Sequence, residues 1–178
     1  PSLCQAGLAE LARHGLCDAP AAAAARIAPA ASLADAVAGA DFVQRGALSP
    51  APWLIGLPYA LLVTNILYVN QFPDRSADLA AGKRHWVARL EPAVAARGYW
   101  LILALDVAVS IWLVLSGHLP ALALISLLAV LPALKAGQVL SAHAAEPPKL
   151  IPAVQMTILA AHLQPVLLAA ALAWTLLA

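Results

Sequence analysis

The residues of this chain whose types and spacing could do chemistry gather in one stretch, NQFPDRSADLAAGKRHW, residues 70–86. Asn70, Asp74 and Asp78 recur every four residues, which puts them on one face if the segment is helical. Two carboxylates one turn apart suit Mg2+, which is commonly held by one or two protein carboxylates and completed by substrate phosphates and water. Gly82 breaks the helix, and Lys83 and Arg84 follow it. Both can neutralise a phosphate, the arginine through a bidentate pair. The chemistry is therefore metal-assisted binding of a phosphorylated substrate. The competing reading is a solvated cap, because charges beside an apolar run usually set topology and need no other purpose. Topology uses Lys and Arg, however, and has no need of a spaced pair of acids. Pro73 disfavours helix at Phe72 but suits the first turn of a new one. It predicts one helix ending near Phe72 and a short second helix starting at Pro73.

The elements that must position these residues are written in the charge map. The chain has 178 residues, 63% hydrophobic and 11% charged, with net charge +1. Its mean hydropathy is +0.84. Soluble domains average about 45–50% apolar and about 25% charged, so the composition is that of an all-α membrane protein. A nucleic-acid partner would need a far stronger basic patch and is excluded. Charged residues are absent from 46–73, 118–134 and 150–178, and Asp106 is the single one in 98–117. A helix needs about 20 apolar residues to cross a bilayer. The runs are too long for barrel strands, and alternation is absent. Four transmembrane helices are predicted, near 51–71, 98–116, 119–138 and 151–177. Arg75, Lys83, Arg84, Arg89 and Arg97 crowd the first loop, and Lys135 and Lys149 flank the third. The positive-inside rule then makes loops 74–97 and 139–149 cytoplasmic and puts the C-terminus and the Gly46 end on the other side.

At this point the residues carry a family resemblance. NQFPDRSADLAAGKRHWVARL resembles the second aspartate-rich motif of the UbiA superfamily of intramembrane prenyltransferases, in which N-x-x-x-D-x-x-x-D is followed by small residues and Gly-Lys-Arg. The resemblance extends over residues 48–178, one span before the motif and three after it, the last opening LIPAVQMTILAAHL. The NxFPDxxxD form is most similar to the quinone-pathway branch. The resemblance implies the second half of a larger all-helical bundle in a bacterial or archaeal cell membrane, with a cavity facing the cytosol. It implies a transferase that moves a prenyl group from an isoprenyl diphosphate to an acceptor, commonly an aromatic ring. By the same resemblance Asp74 and Asp78 are the catalytic and Mg2+-binding acids, and Asn70, Lys83 and Arg84 contact the diphosphate. Metal and cations would stabilise the departing diphosphate while the apolar bundle shields an allylic cation from water.

The first aspartate-rich motif of that family does not occur in this sequence, so the chain reads as truncated. It is expected to need a complementing half-chain or a homo-oligomer for activity. The alternative is a non-catalytic membrane bundle, a fused or decayed remnant with at most an interaction role. Residues 1–47 form an Ala-rich soluble lead, three Arg and four acids lying before Gly46. Within it, LAELARHGLCDAPAAAAARIAPAASLADAVAGADFVQ weakly resembles part of the NAD-binding domain of 3-hydroxyacyl-CoA dehydrogenases, with Arg45 where an acid is usual and no GxGxxG. The plainer reading of the lead is an amphipathic leader with one or two short helices. Cys4 and Cys17 stand without a CxxC or a neighbouring His pattern and are expected to be free thiols. The chain begins at Pro1 with no basic n-region before an apolar run, so no signal peptide is visible.

Other polar residues fall inside the spans. Asp106 is expected to hydrogen-bond a neighbouring helix rather than face a cavity. Gln155 and His162, seven apart, share a face of the last span and are expected to bond between helices. Tyr68, Trp53, Trp86 and Trp100 are assigned to an interfacial aromatic belt, and His85 and Trp86 could close over a bound diphosphate.

Overall fold

The computed structural model describes residues 50–177; the lead, with its cysteines, its resemblance to a dehydrogenase domain and its alternative reading as an amphipathic leader, lies outside the described residues. Every element in this region is helical. The order is α1 (Ala51–Asn70), α2 (Arg75–Ala80), α3 (Trp86–Arg89), α4 (Pro92–Leu115), a 3-10 segment (Ala121–Ala129), α5 (Val130–His143), a 3-10 turn (Pro147–Lys149) and α6 (Ile151–Leu177). Four helices are long and apolar enough to cross a membrane: α1, α4, the 3-10 segment with α5, and α6.

The first and last match the expected spans to within a residue. The second begins at Pro92, six residues before the predicted 98, and so includes Arg97. Proline at the first position and the run Ala93–Ala96 favour helix there, and a charge map cannot see a helix that continues past a charge. The third runs to His143 rather than 138, and its first nine residues are 3-10. Pro132, lacking an amide, sits where that tighter winding gives way to α5.

Hydrogen bonds between side chains and backbone fix how the helices run. Asn65 Nδ2 donates to the Tyr99 carbonyl at 3.3 Å, and the Tyr68 hydroxyl to the Ala95 carbonyl at 2.7 Å. Moving forward on α1 means moving back on α4, so the pair is antiparallel. Tyr99 meets Thr157 at 3.1 Å, and seven residues on in both helices Gln164 Nε2 donates to Asp106 Oδ1 at 2.9 Å. Both indices advance together, so α4 and α6 are parallel, as alternating up-and-down spans require. The first and third loops therefore lie at the same end of the bundle.

Small residues allow the close approach. Ala133, Ala136 and Gly137 on α5 and Ala153, Ala160 and Ala161 on α6 are buried. Trp100 packs its ring over Gly137, where an added Cβ would stand 2.7 Å from it, and donates from Nε1 to Ser141 at 2.9 Å. Tyr68 lies against Gly98 and edge-on to Phe72. Trp100 and Tyr68 thus make interhelical contacts, whereas Trp53 and Trp86 are exposed. Only 22% to 33% of each spanning window is buried within the bundle, although the windows are apolar throughout. Leu67, Leu101, Leu131, Ile151 and Val166 point outward. Helices hydrophobic on all sides need an apolar environment outside as well as inside.

The polar pair expected on α6 is displaced. Gln155 and His162 are exposed, and His162 Nδ1 meets only the Ile158 carbonyl of its own helix, at 2.8 Å. Thr157 and Gln164, also seven apart, face the bundle instead. Asp106 does bond a neighbouring helix, as its buried mid-span position led one to expect.

Candidate functional site

Between α1 and α4 the chain makes a loop held by short-range bonds. Pro73 cannot donate, and α1 ends at Asn70. Gln71 N donates to Tyr68 O and Phe72 N to Val69 O, three residues back, each at 3.2 Å. Gln71 and Asp74 keep right-handed helical dihedrals, so the backbone goes on winding through residues 71–74. The short helix starts at Arg75 and not at Pro73: the Arg75 amide still bonds three residues back, to Phe72 O at 3.3 Å, and Asp78 N to Asp74 O at 2.9 Å is the four-residue bond that opens α2. The expected juxtaposition nevertheless holds: Asn70, Asp74, Asp78 and Lys83 line one open depression with Leu67, Gln71 and His85. Arg84 is exposed and does not line it.

Gly82 ends α2 with φ +74°, a conformation that side-chain-bearing residues rarely adopt. The reversal returns Lys83 to α2, its amide donating to the Asp78 carbonyl at 2.9 Å. Its ammonium then lies 2.6 Å from Asp78 Oδ1. His85 Nε2 lies 2.8 Å from Asp78 Oδ2. The amide of Ala88 donates to His85 Nδ1, so the imidazole proton is assigned to Nε2 and is donated to the carboxylate. Both Asp78 oxygens are thus engaged, and the side chain is only 12% exposed. Hydrogen bonds from Lys83 and then His85 hold its pKa below the ordinary carboxylate value, and the same contact raises Lys83.

Asp74 is different. It is exposed, at the N-cap of α2, and makes no capping bond. Asn70 donates from Nδ2 to the Ile66 carbonyl at 2.9 Å, leaving its amide oxygen for other partners. The depression therefore offers one uncommitted carboxylate, one amide oxygen and one carboxylate shared with Lys83 and His85. Oxygen donors of this kind suit Mg2+. No group of three His, Cys, Asp or Glu that could hold a metal occurs among the described residues. Two carboxylates alone leave most of the coordination to water and substrate oxygens.

Two residues matter more than their types suggested. Lys83, expected to meet phosphate, neutralises an acid of its own loop. Arg75, read only as a topological charge, donates from Nε to the Val87 carbonyl at 3.0 Å and from Nη2 to the Leu90 carbonyl at 3.2 Å, tying α2 to α3. No local pattern announces this contact, since its acceptors are backbone carbonyls twelve and fifteen residues away. His85 was legible only as a neighbour of the Gly-Lys-Arg. Its role as both clamp and cap of α3 depends on the Gly82 reversal.

The chain matches no protein-family profile, no curated protein and no solved structure.

Proposed function

We propose that this chain is the half-bundle of a UbiA-type prenyltransferase that carries the second acidic motif, acting on an isoprenyl diphosphate and an acceptor, with aromatic quinone precursors the best candidates. The observation that carries this reading is the depression at the end of α1, where Asn70, Asp74, Asp78 and Lys83 converge beside the apolar spans. Asp74 and Asp78 would hold Mg2+, which when bound would supply charge neutralisation for the diphosphate leaving group. Lys83, which lines the depression paired with Asp78, would be the cation nearest the diphosphate, Arg84 would meet it from outside the lining, and the outward apolar faces of α1 and α4 would sit against lipid, a second copy or a complementing half-chain. In this reading the bundle is integral to a bacterial or archaeal membrane with the motif loop in the cytoplasm.

A second reading, a non-catalytic bundle, is favoured by one observation: both oxygens of Asp78 are already engaged. The test is transfer from radiolabelled isoprenyl diphosphate in membranes holding the full chain together with a half-bundle bearing the first motif. Mg2+-dependent transfer that disappears with Asp74→Ala or Asp78→Ala supports the enzyme. Transfer indifferent to both substitutions removes the metal assignment, and absence of transfer in every combination favours the non-catalytic bundle.

A further inference from the structure

A second polar site lies in the middle of the bundle, away from the motif loop. Ser110, Ser126 and Gln164 line a partly open cavity of about 30 Å3 between α1, α4, the 3-10 segment and α6. All three are at least 94% buried. Asp106 stands one helical turn before Ser110 on α4 and is fully buried. The antiparallel register of α1 and α4 brings it level with Pro58, which is part of the cavity wall.

Polar oxygens at and beside the cavity are left without partners. Gln164 uses its amide N–H on Asp106 Oδ1, which leaves Oε1 without a partner. Asp106 Oδ2 and Ser110 Oγ are also unpartnered. Pro58 and Pro165, both at the wall, remove two amide donors from α1 and α6. No Lys, Arg or His pairs with Asp106 among the described residues. A buried carboxylate without a cationic partner is costly and must be neutralised. The unpartnered oxygens do not bond one another.

We propose that this cavity binds one small monovalent cation of the size of Na+, held by Gln164 Oε1, Ser110 Oγ and Ser126 Oγ and balanced by the charge of Asp106. Oxygen ligands from one carboxylate, an amide and hydroxyls suit a hard cation, and about 30 Å3 admits one such ion with a water. A proton on Asp106 competes with it. Among the residues lining the cavity, Tyr59 is the ionisable one. The assignment is independent of prenyl transfer.

The experiment is thermal unfolding of the purified full chain in lipid nanodiscs at pH 8, titrated with NaCl against KCl and choline chloride at constant ionic strength, with 23Na NMR for binding. A saturable, sodium-selective rise in the unfolding temperature is expected. Asp106→Asn should abolish it, Ser110→Ala should weaken the apparent Kd about tenfold, and lowering the pH should weaken it further. Identical curves in sodium and choline overturn the site, and identical curves in sodium and potassium overturn the size assignment. Because the wild-type titration decides both, a variant that fails to fold does not protect the proposal.

Discussion

Asp78 and Asp106 are both nearly withdrawn from solvent, at 9% and 0% exposure, yet they are held in opposite ways. Asp78, in the loop, receives an ammonium at 2.6 Å and an imidazole at 2.8 Å. Asp106, mid-span, receives one neutral amide at 2.9 Å and keeps an oxygen without a partner. The loop can bring a lysine back to an acid because Gly82 reverses the chain there and the lysine stem reaches water. A helix inside the bundle has no such freedom and can offer only amides and hydroxyls. The contrast teaches that an acid clamped by an ammonium and an imidazole N–H rests in a stable ground state, whereas an acid left with a lone amide implies a further partner. The loop after α5 repeats the first pattern: Glu146 is held by His143 at 2.8 Å and Lys149 at 2.7 Å.

Substitutions at the two acids should therefore separate activity from stability. The largest effect expected is on catalysis: Asp78→Ala should lower Mg2+-dependent transfer by a factor of about 100 or more, while leaving the unfolding temperature nearly unchanged. Asp106→Ala should do the reverse, destabilising the bundle by about 2–4 kcal/mol through a cavity and a stranded Gln164 amide; denaturation in detergent would check it. If Asp78→Ala unfolds the protein and Asp106→Ala does not, the comparison is wrong. Gly137→Ala calibrates ordinary packing between them. Its Cβ would press on the Trp100 ring, and a loss of about 1–3 kcal/mol is expected in the same experiment.

The smallest effect is electrostatic. Hydrogen bonds from His143 and then Lys149 lower the Glu146 pKa from 4.5. A lowered folded-state value means stability that is fully present above the ordinary glutamate range and is lost as pH falls through the lowered value. All three side chains are well exposed, so the drop should be slight. Glu146→Gln should remove that part of the acid-side slope in a thermal series between pH 6 and about 3.

How much of this was legible in the sequence follows from what each residue has around it. The spans announced themselves because long charge-free runs have few alternative explanations, and Gly82 and Pro73 marked breaks that the loop respects. The face of each span did not announce itself. Helices apolar on every side carry no stripe, so Gln155 with His162 and Thr157 with Gln164 offered the same seven-residue spacing, and only packing against Tyr99 and Asp106 distinguishes them. In the loop, the convergence of Asn70, Asp74 and Asp78 could be read from spacing. The engagement of Lys83 and His85 could not, because it depends on the direction in which the chain leaves Gly82.

The central claim, that residues 70–84 form half of a metal–diphosphate site, is tested most directly by Mn2+ as a paramagnetic substitute for Mg2+. Electron paramagnetic resonance would follow Mn2+ bound to the purified full chain with and without inorganic diphosphate. The account predicts one bound Mn2+ that requires or is strengthened by diphosphate and is lost when Asp74 and Asp78 are both changed to Asn. Mn2+ bound equally well by that double variant, or not bound by the wild-type chain with diphosphate present, would contradict it.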